Sequence, residues 1–229
     1  MVKVSLIILC YNEEKNLKKI ISQSRKLLKK NSNLEILIVE NGSIDNSKNI
    51  LLEIKEKKIK FIFVKKNQGY GFGIKSGLKF TEGDVVGWTH GDDDRLYNNI
   101  NKILHKINYK KKFFLKGFRL GKRPIIDLFF SYSFNLISSF FLKTFLWEIT
   151  AHPTFFSYDL YKKFKRAPND FALDLYIYFL AKKNKYKINR FKYRYNKRKK
   201  GISSWNKNIF SQIYLAKRYI LYLNKLKKN

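Results

Sequence analysis

Acidic residues are scarce in this chain. Its 229 residues include 17 Asp and Glu against 49 Lys and Arg, a formal charge of +32. After Asp174 no acid occurs, while seventeen Lys and Arg follow. Such a field attracts polyanions: nucleic acid, an anionic membrane surface or phosphorylated substrates. No recognised RNA or DNA module accompanies it, and charge alone is unspecific, so nucleic acid is the weakest of the three. Cysteine is scarcer still. Cys10 alone excludes an intramolecular disulfide and fits a reducing compartment. The opening MVKVSLIILCYNEE has too short an apolar run for a signal peptide and no small-residue cleavage site. Long apolar runs are missing as well. Between Asp127 and Lys143 lie fifteen uncharged residues, interrupted by Asn135 and four serines. A spanning helix needs about 20 apolar residues, so this stretch reads as a buried helix or one lying at a membrane interface. There is no internal repeat and no low-complexity linker.

The apolar content is ample for a core: 45% of residues are hydrophobic, in a length that suits one large domain. Val4–Leu9 is a continuous apolar run, as a buried parallel strand would be. Asn12 is placed to cap a helix that carries Glu13 and Glu14 in its first turn. Further strands are expected at Ile36–Val39, Phe61–Val64 and Val85–Thr89, with helices at Ile44–Lys55, Ile74–Phe80 and Leu96–Ile107 between and after them. This alternation predicts an α/β fold with a mostly parallel sheet and helices on both faces. Ligands of such sheets bind beyond the carboxyl ends of the strands. Four loops fall there: Cys10–Asn12, Glu40–Ser43, Asn67–Gly73 and His90–Asp94. The last holds three consecutive carboxylates, Asp92, Asp93 and Asp94, in a chain with few to spare. The second half predicts strands at Phe113–Phe118, Pro153–Ser157 and Lys187–Tyr195. Helices are expected at Asp159–Phe164, Ala172–Asn184 and, long and basic, Lys207–Lys227.

Three stretches carry a resemblance. SLIILCYNEEKNL (5–17), EILIVENGSIDNS (35–47) and NQGYGFGIKSGLKFTEGDVVGWTHGDDD (67–94) resemble the inverting family 2 glycosyltransferases, and most of all their polyprenyl-phosphate sugar synthases. KGFRLGKRPIIDLFF (116–130), PTFFSYDLY (153–161), DFALDLYIYFLAKKNKYKI (170–188) and RKKGISSW (198–205) follow in the matching order. The resemblance implies a GT-A type, Rossmann-like core over 1–184. Residues 185–229 would be a basic C-terminal strand and helix continuing the same domain. It implies a nucleotide-sugar donor and Mg²⁺ or Mn²⁺, because a divalent ion stabilises the leaving nucleoside diphosphate. Asp92 becomes the first metal ligand and Asp94 the second. His90 stands where the family has an acid, as a phosphate contact or auxiliary ligand beside Gly91. Tyr11 would stack on the base and Glu13 accept from a ribose hydroxyl. Asn12, Glu40, Asn41 and Gly42 line the first two loops, with Asn41 replacing an acid. Asn67 and Gly69 would let the third loop pass close to the ligand.

The acceptor divides the readings. A polyprenyl phosphate is already ionised and needs cations; Arg119, Arg123, Arg198 and Lys200 fall in the acceptor-side segments. A sugar hydroxyl of a surface glycan needs a general base, for which Asp170 and Asp174, four apart, are the candidates. His152 reads as a loop or core histidine, and Trp205 as packing on sugar, lipid or sheet. A basic nucleic-acid-binding protein and a non-catalytic homologue, since His90 and Asn41 break two positions, are the remaining alternatives. The expected setting is the cytoplasmic face of a membrane, held peripherally without a span.

Overall fold

The computed structural model describes residues 2–91, 96–107, 112–194 and 209–227. In chain order it contains β1 (Val4–Cys10), α1 (Leu17–Lys30), β2 (Leu34–Glu40), α2 (Ser47–Glu53), β3 (Ile59–Phe63), α3 (Tyr70–Leu78), β4 (Val85–His90) and α4 (Leu96–Leu104). There follow β5 (Phe113–Leu120), α5 (Ile125–Phe141), β6 (Thr154–Ser157), α6 (Tyr158–Tyr161), α7 (Ala172–Lys183), β7 (Lys187–Arg194) and α8 (Ile209–Lys227).

The strands form one sheet in the order β3-β2-β1-β4-β6-β5-β7. β1 is buried along its whole length because it lies between β2 and β4 with helices over both faces, which is why its sequence is unbroken apolar. β6 runs antiparallel to β4 and β5, while β5 and β7 are parallel. One apolar core, built on Ile7, Leu37, Trp88, Phe114 and Phe156, lies on one side of the sheet; the other, built on Leu6, Ile8, Ile20, Ile36 and Ile100, lies opposite.

Several boundaries differ from the sequence reading. α1 begins at Leu17, and Asn12 does not cap it. Asn12 is left-handed at φ 55, and its Oδ1 accepts from Ile44 N at 3.0 Å, so it ties two strand-end loops together. α2 begins at Ser47, because Ser43 and Ile44 are held in these same loop contacts. The Phe-rich stretch is helical only to Phe141, with left-handed Lys143 just beyond its end. Among the described residues no helix is long and apolar enough to cross a membrane.

Candidate active site

The sheet register brings the expected loops to one level. Cys10 lies opposite Glu40 and Leu9 opposite His90, so β1, β2 and β4 end together. Much of the polar chemistry there is spent on holding the loops. Glu40 accepts from Ser43 N at 2.6 Å, Asn12 N donates to Ser43 Oγ at 2.9 Å, and Asn41 Nδ2 donates to Gly69 O at 3.3 Å. Asn67 Oδ1 accepts from Gly69 N at 2.8 Å, and Gly91 N donates to Leu9 O at 3.0 Å. Glu13 is buried and its Oε2 accepts from Asn16 Nδ2 at 2.5 Å, at the entry to α1. Tyr11 is half-buried at the rim.

Gly69 answers a different need from the one the sequence suggested. At φ 113 it is left-handed, and a Cβ there would lie 2.3 Å from the Asn169 carbonyl oxygen. The close approach is to a strap of the chain's own backbone, residues 167–171. That strap is fastened to α3 by Phe72 N–H to Asn169 O at 2.9 Å and by Lys75 Nζ, 2.6 Å from both Ala167 O and Asn169 Oδ1.

Beneath the rim lies a polar cluster centred on a buried lysine and a buried aspartate. The Lys116 ammonium, fully buried, donates to Thr154 Oγ1 at 2.9 Å and to Asp174 Oδ1 at 3.3 Å. His152 Nε2 lies 3.5 Å from Asp174 Oδ2, and the His152 ring meets His90 edge-on at 4.2 Å between centroids. Tyr70 stacks on Phe171 at 4.9 Å and tilts against His90 at 5.3 Å. Burial pushes the Asp174 carboxyl above its ordinary value, with the Lys116 charge opposing. Burial likewise pulls the Lys116 ammonium down, against the pull of Asp174. Burial, helped by the charges of His90, Lys116 and Arg119, holds His152 well below the usual imidazole range, so it is neutral at pH 7.

Next to this cluster a second carboxylate gathers the acceptor-side arginines. Glu148, buried, accepts from Arg119 Nε at 2.5 Å and from Arg123 Nη2 at 2.9 Å. Arg119 also reaches Thr150 Oγ1 at 3.2 Å, while Arg123 Nη1 is buried with no hydrogen-bond partner among the described residues. Arg190, paired with Lys116 across β5 and β7, donates to Trp147 O at 2.8 Å and to the Tyr178 hydroxyl.

Asp170 and Asp174 do not share a helix face. α7 begins at Ala172, so Asp170 precedes it, accepts from Ala172 N at 3.0 Å and pairs with Arg218 of α8 at 2.7 Å. Asp92, Asp94, Arg198, Lys200 and Trp205 lie outside the described residues. The donor set they were assigned still has a consistent chemistry: β4 delivers His90 and Gly91 to the rim immediately ahead of three carboxylates, the hard oxygen donors that Mg²⁺ and Mn²⁺ take. Sequence reasoning passed over Lys116 and Glu148 and gave His152 little weight. The signal was present in FFLKGF and TFLWEIT, where one charge sits inside an apolar run and so demands a buried partner.

Comparison with known proteins agrees with this architecture. The model of the family described as Glycosyl transferase family 2 matches residues 5–164. An uncharacterized glycosyltransferase of Nostoc sp. is 37% identical over 94 residues, 40% of this chain and 28% of that protein. The undecaprenyl-phosphate 4-deoxy-4-formamido-L-arabinose transferase of Proteus mirabilis is 33% identical over 88 residues, 37% of this chain and 27% of its own. The dolichyl-phosphate beta-glucosyltransferase of Dictyostelium discoideum is 28% identical over 120 residues, 45% of this chain and 36% of its own. The matched region therefore spans only about a third or less of these relatives. Among solved structures, glucosyl-3-phosphoglycerate synthase of Mycobacterium tuberculosis with Mn²⁺, UDP and glucosyl-3-phosphoglycerate superposes with a TM-score of 0.73 over 99% of this chain and 80% of that one, at 12% identity. That likeness fixes the fold as GT-A. With its rim of strand-end loops and a family match over most of its length, the chain belongs to glycosyltransferase family 2.

Proposed function

We propose that this chain transfers a sugar, with inversion, from a nucleotide-sugar donor to a polyprenyl phosphate, as a peripheral protein at the cytoplasmic face of an anionic membrane. The observation that carries this reading is the state of Asp174. A general base must reach the acceptor's proton. Asp174 is sealed from water and ion-paired with Lys116, and the other candidate, Asp170, is engaged by Arg218. An acceptor that arrives ionised needs neither.

In this reading a phosphate oxygen of the acceptor forms the new bond at the anomeric carbon. The bond from that carbon to the diphosphate breaks, its electron pair leaves with the nucleoside diphosphate, and no proton moves. A divalent ion, Mg²⁺ or Mn²⁺, held by Asp92 and Asp94 would neutralise the charge that develops on the leaving group. The chain's own residues position the partners. The Arg119–Glu148–Arg123 group sets two guanidiniums against one carboxylate, leaving a net positive charge on the acceptor side. Residues 1–184 form the catalytic core, and 185–229 continue it, as the pairing of β7 with β5 and the packing of α8 on α5 and α7 suggest. Similarity to transferases named for undecaprenyl phosphate and dolichyl phosphate supports the acceptor.

The test is a panel of UDP- and GDP-sugars with Mn²⁺, each with a polyprenyl phosphate, with a soluble oligosaccharide, or with neither. Sugar is expected on the lipid phosphate alone. Transfer to the oligosaccharide without lipid would reject this acceptor and return Asp174 to the role of base.

A further inference from the structure

α5 is inside out. Its outward face carries Ile125, Phe129, Leu136 and Phe140, which are 85%, 66%, 70% and 80% exposed. Its inward face buries Asn135 and Ser138, at 2% and 0%. Asn135 Oδ1 accepts from Ile149 N at 3.3 Å, and the one acid of the helix, Asp127, is half-buried and lies, by helical periodicity, on the inward side. A water-facing helix shows the opposite order. These exposed residues fall at intervals of four and seven, so they form one stripe along a helix about 25 Å long. Contiguous apolar surface of this extent marks a place where something other than water is met.

Charge identifies what is met. Lys122 stands exposed just before the helix and Lys143 just after it. Where the ends of α5 and α8 meet, a hollow of about 520 Å³ is lined by Ser139, Phe140, Phe141, Lys143 and Lys227. Two phenylalanines and two lysines line it, a combination that suits an acyl chain beside an anionic headgroup. Ile220 and Leu221 of α8 are exposed as well.

We propose that α5 lies flat in the headgroup layer of an anionic bilayer with its Ile125–Phe140 stripe inserted, and that the Lys143–Lys227 hollow takes one anionic lipid. The inference deepens the membrane setting proposed above and rests on that reading only for its purpose. α5 begins two residues after Arg123, so insertion brings the Arg119–Arg123 pair to the level of lipid phosphates.

The experiment uses the full chain, with no donor or acceptor, and vesicles of phosphatidylcholine with or without about 30 mol% phosphatidylglycerol. Trp147, which stacks on Tyr132 at 5.1 Å beneath the stripe, reports insertion by a blue shift and by quenching from brominated lipid. Leu136→Asp and Phe140→Asp, both at exposed positions and so without harm to folding, are expected to lower partitioning about ten- to a hundredfold. Lys143→Glu with Lys227→Glu is expected to weaken binding to the anionic vesicles several-fold more than the charge-matched pair Lys26→Glu with Lys29→Glu on α1. Wild-type partitioning unchanged by either Asp variant would overturn the insertion. Equal losses in the two lysine pairs would overturn the lipid site. A lipid-free dimer that Leu136→Asp dissociates, with no vesicle binding by the wild type, would replace the bilayer with a second copy of the chain. Vesicle binding here, together with transfer to the oligosaccharide alone in the separate donor panel, would keep this surface and reject only the phosphate acceptor.

Discussion

A lysine ammonium with no access to water persists only when its charge and its N–H groups are answered. Lys116 is answered by Asp174 and Thr154, and each member of the pair is worth little without the other. Removing one partner of a buried pair leaves the other charge uncompensated, at about 3–5 kcal/mol, whereas removing both is often nearly neutral. Lys116→Met should therefore destabilise the fold by that amount in urea unfolding, and Lys116→Met with Asp174→Leu should recover most of it. If the double variant is as unstable as the single one, Lys116 and Asp174 are not one coupled unit. Activity separates structure from chemistry in the same series. Asp174→Asn should keep measurable transfer to a polyprenyl phosphate, because the nucleophile is already ionised; complete loss in a folded variant would make Asp174 the base.

At the scale of elements, the glycines show where backbone crosses backbone. Gly69→Ala sets a Cβ against Asn169 O at an unfavourable φ, so the strap over α3 must lift. The Phe72 N–H, bonded to Asn169 O at 2.9 Å, should then exchange with solvent about tenfold faster or more, while the β1 amides keep their protection. Equal exchange at Phe72 in both proteins would mean that the strap has another hold. These elements also mark how far the sequence could be read. Unbroken apolar runs revealed β1, β2 and β4, and their shared end level followed from parallel pairing, so the rim was legible. The direction of β6 was not, since a four-residue apolar strand reads the same either way. Nor was the strap, because a glycine records only that something passes close, not whether it is ligand or chain. The apolar residues of α5 were visible in sequence; that its Asn135 and Ser138 face inward depends on what the helix packs against.

Over the whole molecule, 49 basic and 17 acidic groups leave a charge of +32, and like charges held in a compact shape repel. Each acid in an ion pair is therefore a local offset to a global strain. At the start of the sheet, Glu82 binds Lys3 at 2.7 Å and Lys60 at 2.6 Å, and Lys60 also binds Glu35 at 3.0 Å, joining β1, β2, β3 and the entry to β4. The hydrogen bond from Lys3, then that from Lys60, holds the Glu82 carboxyl down at about 2. A carboxyl held below its unfolded value stabilises the fold fully above that value, near 4.5, and loses this contribution as pH falls towards 2. In the same window protonation of the other acids raises the net positive charge further. The urea midpoint should thus change little between pH 7 and about 5 and fall steeply below about 4.5. Glu82→Gln should lower it near neutrality and flatten the fall. Salt supplies an independent check on the global part: raising NaCl from about 20 to about 300 mM screens the repulsion among spread surface charges and should raise Tm at pH 7. A Tm that falls with salt would mean that the short-range pairs, Lys3–Glu82 and Lys60–Glu35 among them, outweigh the repulsion of the whole.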